Sequence, residues 1–306
     1  MKKIYFNQKD RDNEVKSETF WSHTDSNKEE YATFFKNRKD FVEVSNLENC
    51  DYILLPYKWK KDESFMESEL YKYAIEKNKK ILSFFNDDYD LELKIPNKNF
   101  FLFRTSTYRS SIKENEIIMP AFCETFEYIS PTKNAIDNLV LSFCGNVFEN
   151  FRIITFQELQ KNIFVNYNFL CRRGFWAPEI SDKKIARQQF VNNMRDGLFG
   201  LCMRGNGNFS YRLYETLALG RIPVIINSDL KLPLENILDW QSFSLVLELN
   251  EIQDLHKKLY DFSLKYNVEK ICENNKKIYE EYFSPHGFIK NIELYLAESK
   301  LYKRVL

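Results

Sequence analysis

The segment that decides the fold class of this chain is Met203-Arg204-Gly205-Asn206-Gly207-Asn208-Phe209-Ser210-Tyr211-Arg212-Leu213-Tyr214-Glu215. It starts at the end of an apolar run, 198–203, crosses a polar loop with two glycines, and continues into a helical pattern over 210–219. Gly220 marks the helix end, and a second apolar run occupies 222–226. The order strand, loop, helix, strand predicts parallel pairing of the two strands through a right-handed crossover.

The same alternation continues on both sides of this segment. Upstream, the sequence predicts a helix over 182–196 and a strand that ends at the turn Cys144-Gly145-Asn146, and downstream the chain from 251 onward is polar and helical. The first half shows a helical pattern over 63–78 between short apolar runs at 51–56, 80–85 and 116–120. We therefore predict an α/β protein with two parallel-sheet domains and a cleft between them.

Length and glycine distribution predict where the domains divide. The chain has 306 residues, which suits two domains, and all eight glycines lie beyond residue 144. A Ser-Pro-Thr break at 130–134 suggests a hinge. The predicted domains are 1–133 and 134–287, the second of which is expected to bind the ligand, with a helix within 288–306 that packs back on the first domain.

Charge and composition exclude several classes of protein. The 44 basic side chains balance 44 acidic ones, which disfavours nucleic-acid binding by bulk electrostatics. The first residues turn polar too early for a signal peptide, and no apolar stretch is long enough to span a bilayer. Six widely spaced cysteines predict buried free thiols in a reducing cytosol. A cytoplasmic protein is expected, with peripheral contact to the inner membrane face as the further option.

The residues of segment 203–215 favour a phosphate-bearing ligand. Ser210 suits the N-cap of a helix, whose unpaired N–H groups and positive end attract phosphate. Arg204 and Arg212 flank that position and suit a diphosphate, and Glu215, one turn further, suits ribose hydroxyls. The segment is neither a Walker loop nor a GxGxxG fingerprint. The alternative interpretation is a serine-capped loop with surface arginines.

Several stretches together resemble one known family, the exostosin-like glycosyltransferases, whose bacterial members are the most similar in pattern. The resemblance covers about residues 100–250 and is specific over 203–240. It is carried by 205–215, Gly220-Arg221-Ile222-Pro223-Val224, Leu232-Pro233-Leu234, Asp239-Trp240, 115–120 and Phe143-Cys144-Gly145-Asn146.

The resemblance implies a GT-B fold, in which two Rossmann-like domains face each other across a cleft and the C-terminal one binds the nucleotide-sugar. It implies transfer with inversion, no required metal or other cofactor, and a uridine diphosphate sugar as the commonest donor. The expected acceptor is a cell-surface polysaccharide or a lipid-linked oligosaccharide. Arg212 looks like the diphosphate contact and Glu215 like the ribose contact. The predicted donor site comprises Gly145, Asn146, Arg204, Gly207, Asn208, Ser210, Tyr211, Arg212 and Glu215.

An inverting transfer needs one general base, and the first half of the chain offers candidates. Asp87 and Asp88, directly after the apolar run 80–85, are the first choice, and His23 and Glu124 follow. A solvated acidic turn is the alternative for the two aspartates. Phosphate or acceptor contacts are predicted for Arg104, Arg109 and Arg173, against a plain capping or surface role.

Two other functions remain open at this stage. Asp88-Tyr89-Asp90 fits the DxD metal motif of the GT-A glycosyltransferases, which would place a Mn²⁺ or Mg²⁺ diphosphate site in the first half. A glycan-binding or scaffold protein of the same fold, without turnover, is the second. Metal dependence would identify the first of these, and absence of donor hydrolysis or transfer would identify the second.

Overall fold

Two parallel sheets organise the chain. The computed structural model describes residues 3–5, 42–43, 46–58, 64–123, 126–174 and 177–298. The chain divides into unit 1, which comprises Met1–Phe122, Lys231–Ile237 and Phe288–Leu306, and unit 2, which comprises Cys123–Leu230 and Leu238–Gly287.

Unit 1 is built on a six-stranded sheet in the order β2-β1-β3-β4-β5-β6, and each neighbouring pair is parallel. Its strands are β1 Lys3–Tyr5, β2 Val42–Glu43, β3 Tyr52–Lys58, β4 Lys80–Phe85, β5 Phe100–Arg104 and β6 Glu116–Ile118. Helix α1, Glu69–Glu76, connects β3 to β4 and starts after Ser68, whose side chain accepts a hydrogen bond from the Tyr71 amide. One-turn 3₁₀ helices occupy Leu47–Asn49 and Ser64–Glu67.

Unit 2 is built on a five-stranded parallel sheet in the order β11-β10-β9-β7-β8. The strands are β7 Leu141–Asn146, β8 Tyr167–Arg172, β9 Phe199–Cys202, β10 Ile222–Ile226 and β11 Leu245–Leu247. The helices are α2 Lys133–Asp137, α3 Asn150–Gln160, α4 Lys183–Asp196, α5 Tyr211–Ala218, α6 Leu255–Lys265 and α7 Val268–Ile278. After a π-helical turn at Tyr279–Phe283, helix α8, Pro285–Lys290, crosses from unit 2 into unit 1, and α9, Ile292–Glu298, belongs to unit 1. The prediction of an α/β protein with two parallel sheets is confirmed.

The central strands are continuous apolar runs because helices or loops cover both faces of a parallel sheet. Every residue of β5, β9 and β10 is buried. Gly200 in β9 lets α5 pack closely on the sheet, because a Cβ atom there would lie 2.5 Å from Oγ1 of Thr216. In unit 1 the core is aromatic: the Phe84 and Phe103 rings stack at 4.9 Å, and Phe288 meets Phe103 edge-on at 5.5 Å.

The passage from unit 1 to unit 2 differs from the boundary expected at residues 133 and 134. It falls between Phe122 and Cys123, because the next residues bond to unit 2. Tyr279 donates to the Cys123 carbonyl at 3.3 Å, and Lys276 donates to the Phe126 carbonyl at 2.7 Å. The Ser-Pro-Thr break instead marks a helix start, since Thr132 caps α2 by accepting from the Ala135 amide at 3.2 Å. Residues 299–306 of the segment expected to return to the first domain lie outside the described residues.

Polar contacts hold the segment 231–237 within unit 1, although it lies late in the sequence. The Glu298 carboxylate, fully buried on α9, accepts from the Leu234 amide at 2.8 Å and the Asn236 amide at 3.3 Å. Glu235 accepts two hydrogen bonds at 2.7 Å from Arg109 and pairs with Lys231. The segment therefore depends on side chains from 109 and 298 for its position.

The buried Glu298 carboxyl predicts a pH-dependent contribution to stability. Burial raises its pKa from 4.5 to about 7, against the lowering effect of the two amides and of Lys231. Because the folded protein keeps this proton to a higher pH than the unfolded chain, the contribution is fully present below about pH 4.5 and is lost as the pH rises through about 7.

Between pH 5 and pH 8 the free energy of unfolding of the native chain should therefore fall relative to that of Glu298→Gln, on the order of 2 kcal/mol. Denaturant unfolding of both proteins at the two pH values measures the difference. Equal changes for the two proteins would show that Glu298 does not titrate in this range.

The cysteines and the helices bear on two further sequence predictions. All six thiols are free, and five are buried as predicted, whereas Cys171 is exposed because β8 is the edge strand of its sheet. In the described part of the chain, none of the helices combines the length and the apolar character that crossing a bilayer requires.

Candidate donor site

The loop after β9 is folded tightly and presents the start of α5. Within it, the Gly205 amide donates to the Phe209 carbonyl at 3.1 Å, and the Phe209 amide donates to the Gly207 carbonyl at 2.9 Å. Helix α5 then starts at Tyr211, after Ser210 in the N-cap position. The loop therefore places the helix N-terminus at the carboxyl edge of the parallel sheet, which is where ligands bind in open α/β folds.

Ser210 stands at the N-cap, but its hydroxyl does not cap the helix. The backbone has the extended N-cap conformation, and the side chain makes no capping hydrogen bond. Its Oγ is buried without a hydrogen-bond partner among the described residues. A buried hydroxyl without a partner is costly, so this group is available to a ligand bound at the helix start.

Arg212, in the first turn of α5, makes a hydrogen bond with one nitrogen of its guanidinium group and none with the other two. Nη2 donates to the Cys144 carbonyl near the end of β7. Nη1 lies 3.5 Å from Oε2 of Glu215, one turn further along α5. Nε and Nη1 are buried and make no hydrogen bond to the described residues. Unused donors on a cation beside a helix N-terminus form a site for an anion.

Arg152 is a third positive charge at this edge, and the sequence analysis missed it. Its Nε donates to the Arg204 carbonyl at 2.8 Å, and its Nη1 donates to the Asn146 carbonyl at 2.8 Å. Burial, and secondly the charge of Arg212, lower the pKa of Arg152 to about 10. A signal existed in the sequence: Arg152 lies in the first turn of the helix after β7, as Arg212 lies in the first turn of the helix after β9.

Gly145 and Asn146 end β7 within the same edge. A Cβ atom on Gly145 would lie 3.7 Å from Nη2 of Arg212, and the buried Asn146 side chain accepts from Arg152 at 3.2 Å. These two predicted donor residues therefore adjoin the arginines of the site.

The remaining predicted donor residues hold the loop together. Asn208 joins it to the turn after β10, because its Nδ2 donates to the Asp229 carbonyl at 3.2 Å and its Oδ1 accepts from Ser228 at 2.6 Å. Arg204 is half-buried and donates to the Asn206 carbonyl at 2.9 Å. Gly207 is buried, and the Tyr211 ring packs edge-on to Phe209 at 5.3 Å. In this structure, the contacts of Asn208 and Arg204 serve loop shape.

The three arginines predicted to contact phosphate or acceptor have different surroundings. Arg104 is fully buried: it pairs with Glu116 at 2.7 Å and donates to the Tyr89 and Leu91 carbonyls at 2.9 and 3.0 Å. Because the Arg104 guanidinium group is buried and paired within unit 1, it supports the fold. Both sequence-based interpretations of Arg104, a ligand contact and a capping or surface role, are therefore wrong. Arg109 pairs with Glu235 in segment 231–237, and Arg173 is exposed after β8.

The proposed base residues lie in a turn after β4. Asp87 is half-buried and accepts from the Tyr89 amide at 3.0 Å, and Asp88 is exposed. Asp90 accepts from the Tyr108 hydroxyl at 3.1 Å. No group of three or more His, Cys, Asp or Glu side chains suited to a metal ion occurs in the ranges that the structure describes. His23 and Glu124 lie outside the described residues.

Part of the family-like sequence pattern is structural. Arg221 is buried and donates to the carbonyls of Ile129 and Arg195, both at 2.8 Å. Burial lowers its pKa. Trp240 is buried against Phe283 with ring centroids 5.3 Å apart, so it packs in the core. These residues fix the ends of α4 and α5 and the core of unit 2.

Comparison with known proteins gives one family. The family model named "Exostosin GT47 domain" matches residues 14–261, about four fifths of the 306 residues. A "probable arabinosyltransferase ARAD1" of Arabidopsis thaliana is 25% identical over 164 residues, 51% of this chain and 34% of that protein. A "probable glucuronosyltransferase" of Oryza sativa subsp. japonica is 36% identical over 85 residues, 28% of this chain and 20% of that protein. The chain thus spans at most about a third of these curated relatives.

Solved structures resemble the chain more distantly. A glycosyltransferase from Rickettsia africae has a TM-score of 0.45 at 13% identity, with 91% of this chain and 83% of that chain covered. A variant of S. aureus TarM in complex with fondaparinux, α-GlcNAc-glycerol and UDP has a TM-score of 0.41 at 12% identity, with 80% and 55% covered. These low scores add no weight to the fold assignment, which rests on the two parallel sheets and the family match.

Proposed function

Because the chain belongs to the exostosin GT47 family and has the paired parallel-sheet units of the GT-B class, we propose that it is a glycosyltransferase acting on a nucleotide-sugar. The observation that carries the proposal is the set of unused donors at the start of α5. Nε and Nη1 of Arg212 and Oγ of Ser210 are buried there without hydrogen-bond partners among the described residues. A diphosphate supplies the acceptor oxygens that these groups lack.

Charge favours a diphosphate over a neutral sugar at this position. Arg152 and Arg212 are close enough for their charges to repel, which contributes to the lowered pKa of Arg152. An anion between like charges relieves that repulsion and gains the field of the helix N-terminus. Glu215, which pairs with Arg212 at 3.5 Å, is the proposed acceptor of ribose hydroxyl hydrogen bonds.

The proposed chemistry is a single displacement with inversion. The acceptor hydroxyl oxygen forms a bond to the anomeric carbon while the bond from that carbon to the β-phosphate oxygen breaks, and the nucleoside diphosphate departs with that electron pair. The departing diphosphate gains negative charge, which Arg212 and the start of α5 stabilise without requiring a metal ion. A base takes the hydroxyl proton, and Asp87 and Asp88 remain the proposed candidates.

The donor and acceptor classes follow from the family resemblance. We propose a UDP-sugar as donor, and as acceptor a hydroxyl of a cell-surface polysaccharide or a lipid-linked oligosaccharide. A cytoplasmic location, with peripheral contact at the inner membrane face, fits that acceptor. The family match favours the metal-independent proposal over the DxD alternative, since the exostosin GT47 model covers residues 14–261, which include Asp88 and Asp90.

Thermal shift against UDP, GDP, CMP, dTDP and ADP, each with EDTA and with Mn²⁺, tests the proposal. We expect one nucleoside diphosphate to stabilise the protein in EDTA, by about 2.7 kcal/mol at a hundred times its dissociation constant. Incubation with nucleotide-sugars that carry this nucleoside diphosphate, together with a panel of glycan acceptors, should then release the free nucleoside diphosphate. A shift that requires Mn²⁺ would contradict metal independence. Nucleotide binding without donor hydrolysis or transfer would favour the non-catalytic glycan-binding alternative.

A further inference from the structure

Three arginines and three phenylalanines of unit 2 alternate in space through the candidate donor site. The guanidinium group of Arg187 lies 5.2 Å from the ring centroid of Phe126 and 4.7 Å from that of Phe190. The guanidinium group of Arg212, next in the series, lies 4.3 Å from the ring centroid of Phe190. Phe143 continues the series at 6.0 Å from both Arg212 and Arg152. We call this set the arginine–phenylalanine ladder: Phe126, Arg187, Phe190, Arg212, Phe143 and Arg152. Each contact lies within the range of a cation–π interaction.

Phe190 makes the shortest contact in the ladder and comes from outside the sequence segment that suggested the site. It lies on α4, is half-buried, and lies between Arg187 and Arg212 in the ladder. The next two members after Arg212 are Phe143, which lies in β7, and Arg152, which lies in α3. Arg212 therefore depends on α4 for the nearest ring against its guanidinium group.

An aromatic neighbour differs from a carboxylate in what it leaves available. A carboxylate compensates an arginine by accepting its N–H groups, which lie in the guanidinium plane. A ring compensates the charge through its π-electrons and accepts none of those hydrogens in the plane. Arg212 combines both kinds of neighbour: Nη1 lies 3.5 Å from the Glu215 carboxylate and Nη2 bonds to the Cys144 carbonyl, yet Nε and Nη1 are buried without a hydrogen bond to the described residues.

We propose that Phe190 is a positioning residue for the donor: its ring holds Arg212 so that Nε and Nη1, which make no hydrogen bond to the described residues, can donate to the diphosphate. Phe190 acts through Arg212, without contact with the donor. The inference rests on the proposed donor site and adds to it a residue on α4 that determines how tightly the anion is bound. It also explains why a half-buried phenylalanine lies against a functional cation.

The test compares four variants by calorimetric titration with inorganic pyrophosphate and with UDP. Phe190→Leu removes the ring and keeps an apolar side chain, and Phe190→Tyr keeps a ring face. Tyr266→Leu is the matched control, because Tyr266 is also half-buried and contacts a cation, Lys265, at 4.8 Å on another element. Arg212→Ala reports whether the site itself is correct.

We expect Phe190→Leu to weaken pyrophosphate and UDP binding about tenfold, which equals about 1.4 kcal/mol. Phe190→Tyr should retain the affinity of the native protein to within about twofold, because its aromatic ring still offers a π-face to Arg212. Tyr266→Leu should leave the affinity unchanged even where its melting temperature falls, so a general loss of stability is separated from loss of positioning.

Two outcomes would overturn the inference, and they differ in what else they overturn. Native affinity in Phe190→Leu with lost affinity in Arg212→Ala would leave the donor site in place and refute the role of Phe190. Native affinity in Arg212→Ala, or no anion binding by the native protein, would refute the donor site and the role of Phe190 together. Failure of Phe190→Tyr to restore binding would show that the ring face is not what Arg212 requires.

Discussion

Replacement of Arg212 by alanine is expected to lower kcat for sugar transfer by about 10² to 10³. The physical reason is that, in the proposed reaction, the departing diphosphate gains negative charge in the transition state, and Nε and Nη1 of Arg212 make no hydrogen bond to the described residues. Loss of one such preorganised donor group in other enzymes raises the barrier by about 3–4 kcal/mol. Steady-state kinetics with a radiolabelled or coupled donor assay measures the change.

One further variant separates the charge of Arg212 from its geometry, and a second serves as the control. Arg212→Lys keeps the charge but loses the planar fork, so it should retain more activity than Arg212→Ala and remain well below the native rate. Arg204→Ala is the matched control, because Arg204 is half-buried and donates to a carbonyl of its own loop, Asn206. We expect it to cost less than about tenfold. Equal losses in Arg204→Ala and Arg212→Ala would contradict the distinct role of Arg212.

The largest effect on stability is expected for Arg104→Met, a destabilisation of about 3–5 kcal/mol with the fold of unit 1 most affected. The Arg104–Glu116 pair is closed from solvent, and removal of the cation leaves the Glu116 carboxylate buried without its partner. The Tyr89 and Leu91 carbonyls lose a donor at the same time. Urea unfolding followed by circular dichroism gives the free energy.

Arg109 provides the control for burial. It also forms a 2.7 Å pair with a glutamate, but its side chain is 50% exposed, so Arg109→Met should cost about 1 kcal/mol or less.

A second substitution in the Arg104→Met background, Glu116→Gln, keeps an acceptor for the Lys113 amide and removes the unpaired buried charge. It should recover part of the stability lost in Arg104→Met. A cost below about 1 kcal/mol for Arg104→Met alone would show that the pair is not closed in solution.

Local sequence patterns predicted many elements of both sheets. The expected strand at 80–85 is β4, the expected strand at 222–226 is β10, and the helix predicted over 182–196 is α4, Lys183–Asp196. These elements follow from continuous apolar runs and clear end signals, which depend on neighbours in sequence. The helical pattern over 63–78 proved to be a 3₁₀ turn followed by α1, since Ser68 interrupts it as an N-cap.

Two strands were not predicted. Strand β8, Tyr167–Arg172, has four apolar residues of six, but it lies at the sheet edge and is only partly buried. Strand β11 has three residues and pairs with β10 alone. Their residue types suit strands, but pairing with β7 and β10 is what orders these short edge segments.

The sequence by itself determined the α/β class, the glycine loop before α5, the residue types of an anion site and the resemblance to a glycosyltransferase family. These properties depend on short-range pattern: apolar periodicity, helix ends and the spacing of residues within one segment. The family match over residues 14–261 confirms that resemblance.

Only the tertiary structure decided what each arginine does. Arg104 and Arg221 are buried and support the fold, Arg109 holds segment 231–237, and Arg152 and Arg212 meet at the carboxyl edge of the unit 2 sheet. The physical reason is that the role of a guanidinium group depends on its burial and on the atoms around it. Those atoms, such as Glu235 for Arg109 and Phe190 for Arg212, come from residues distant in the sequence and are brought there by the parallel crossovers.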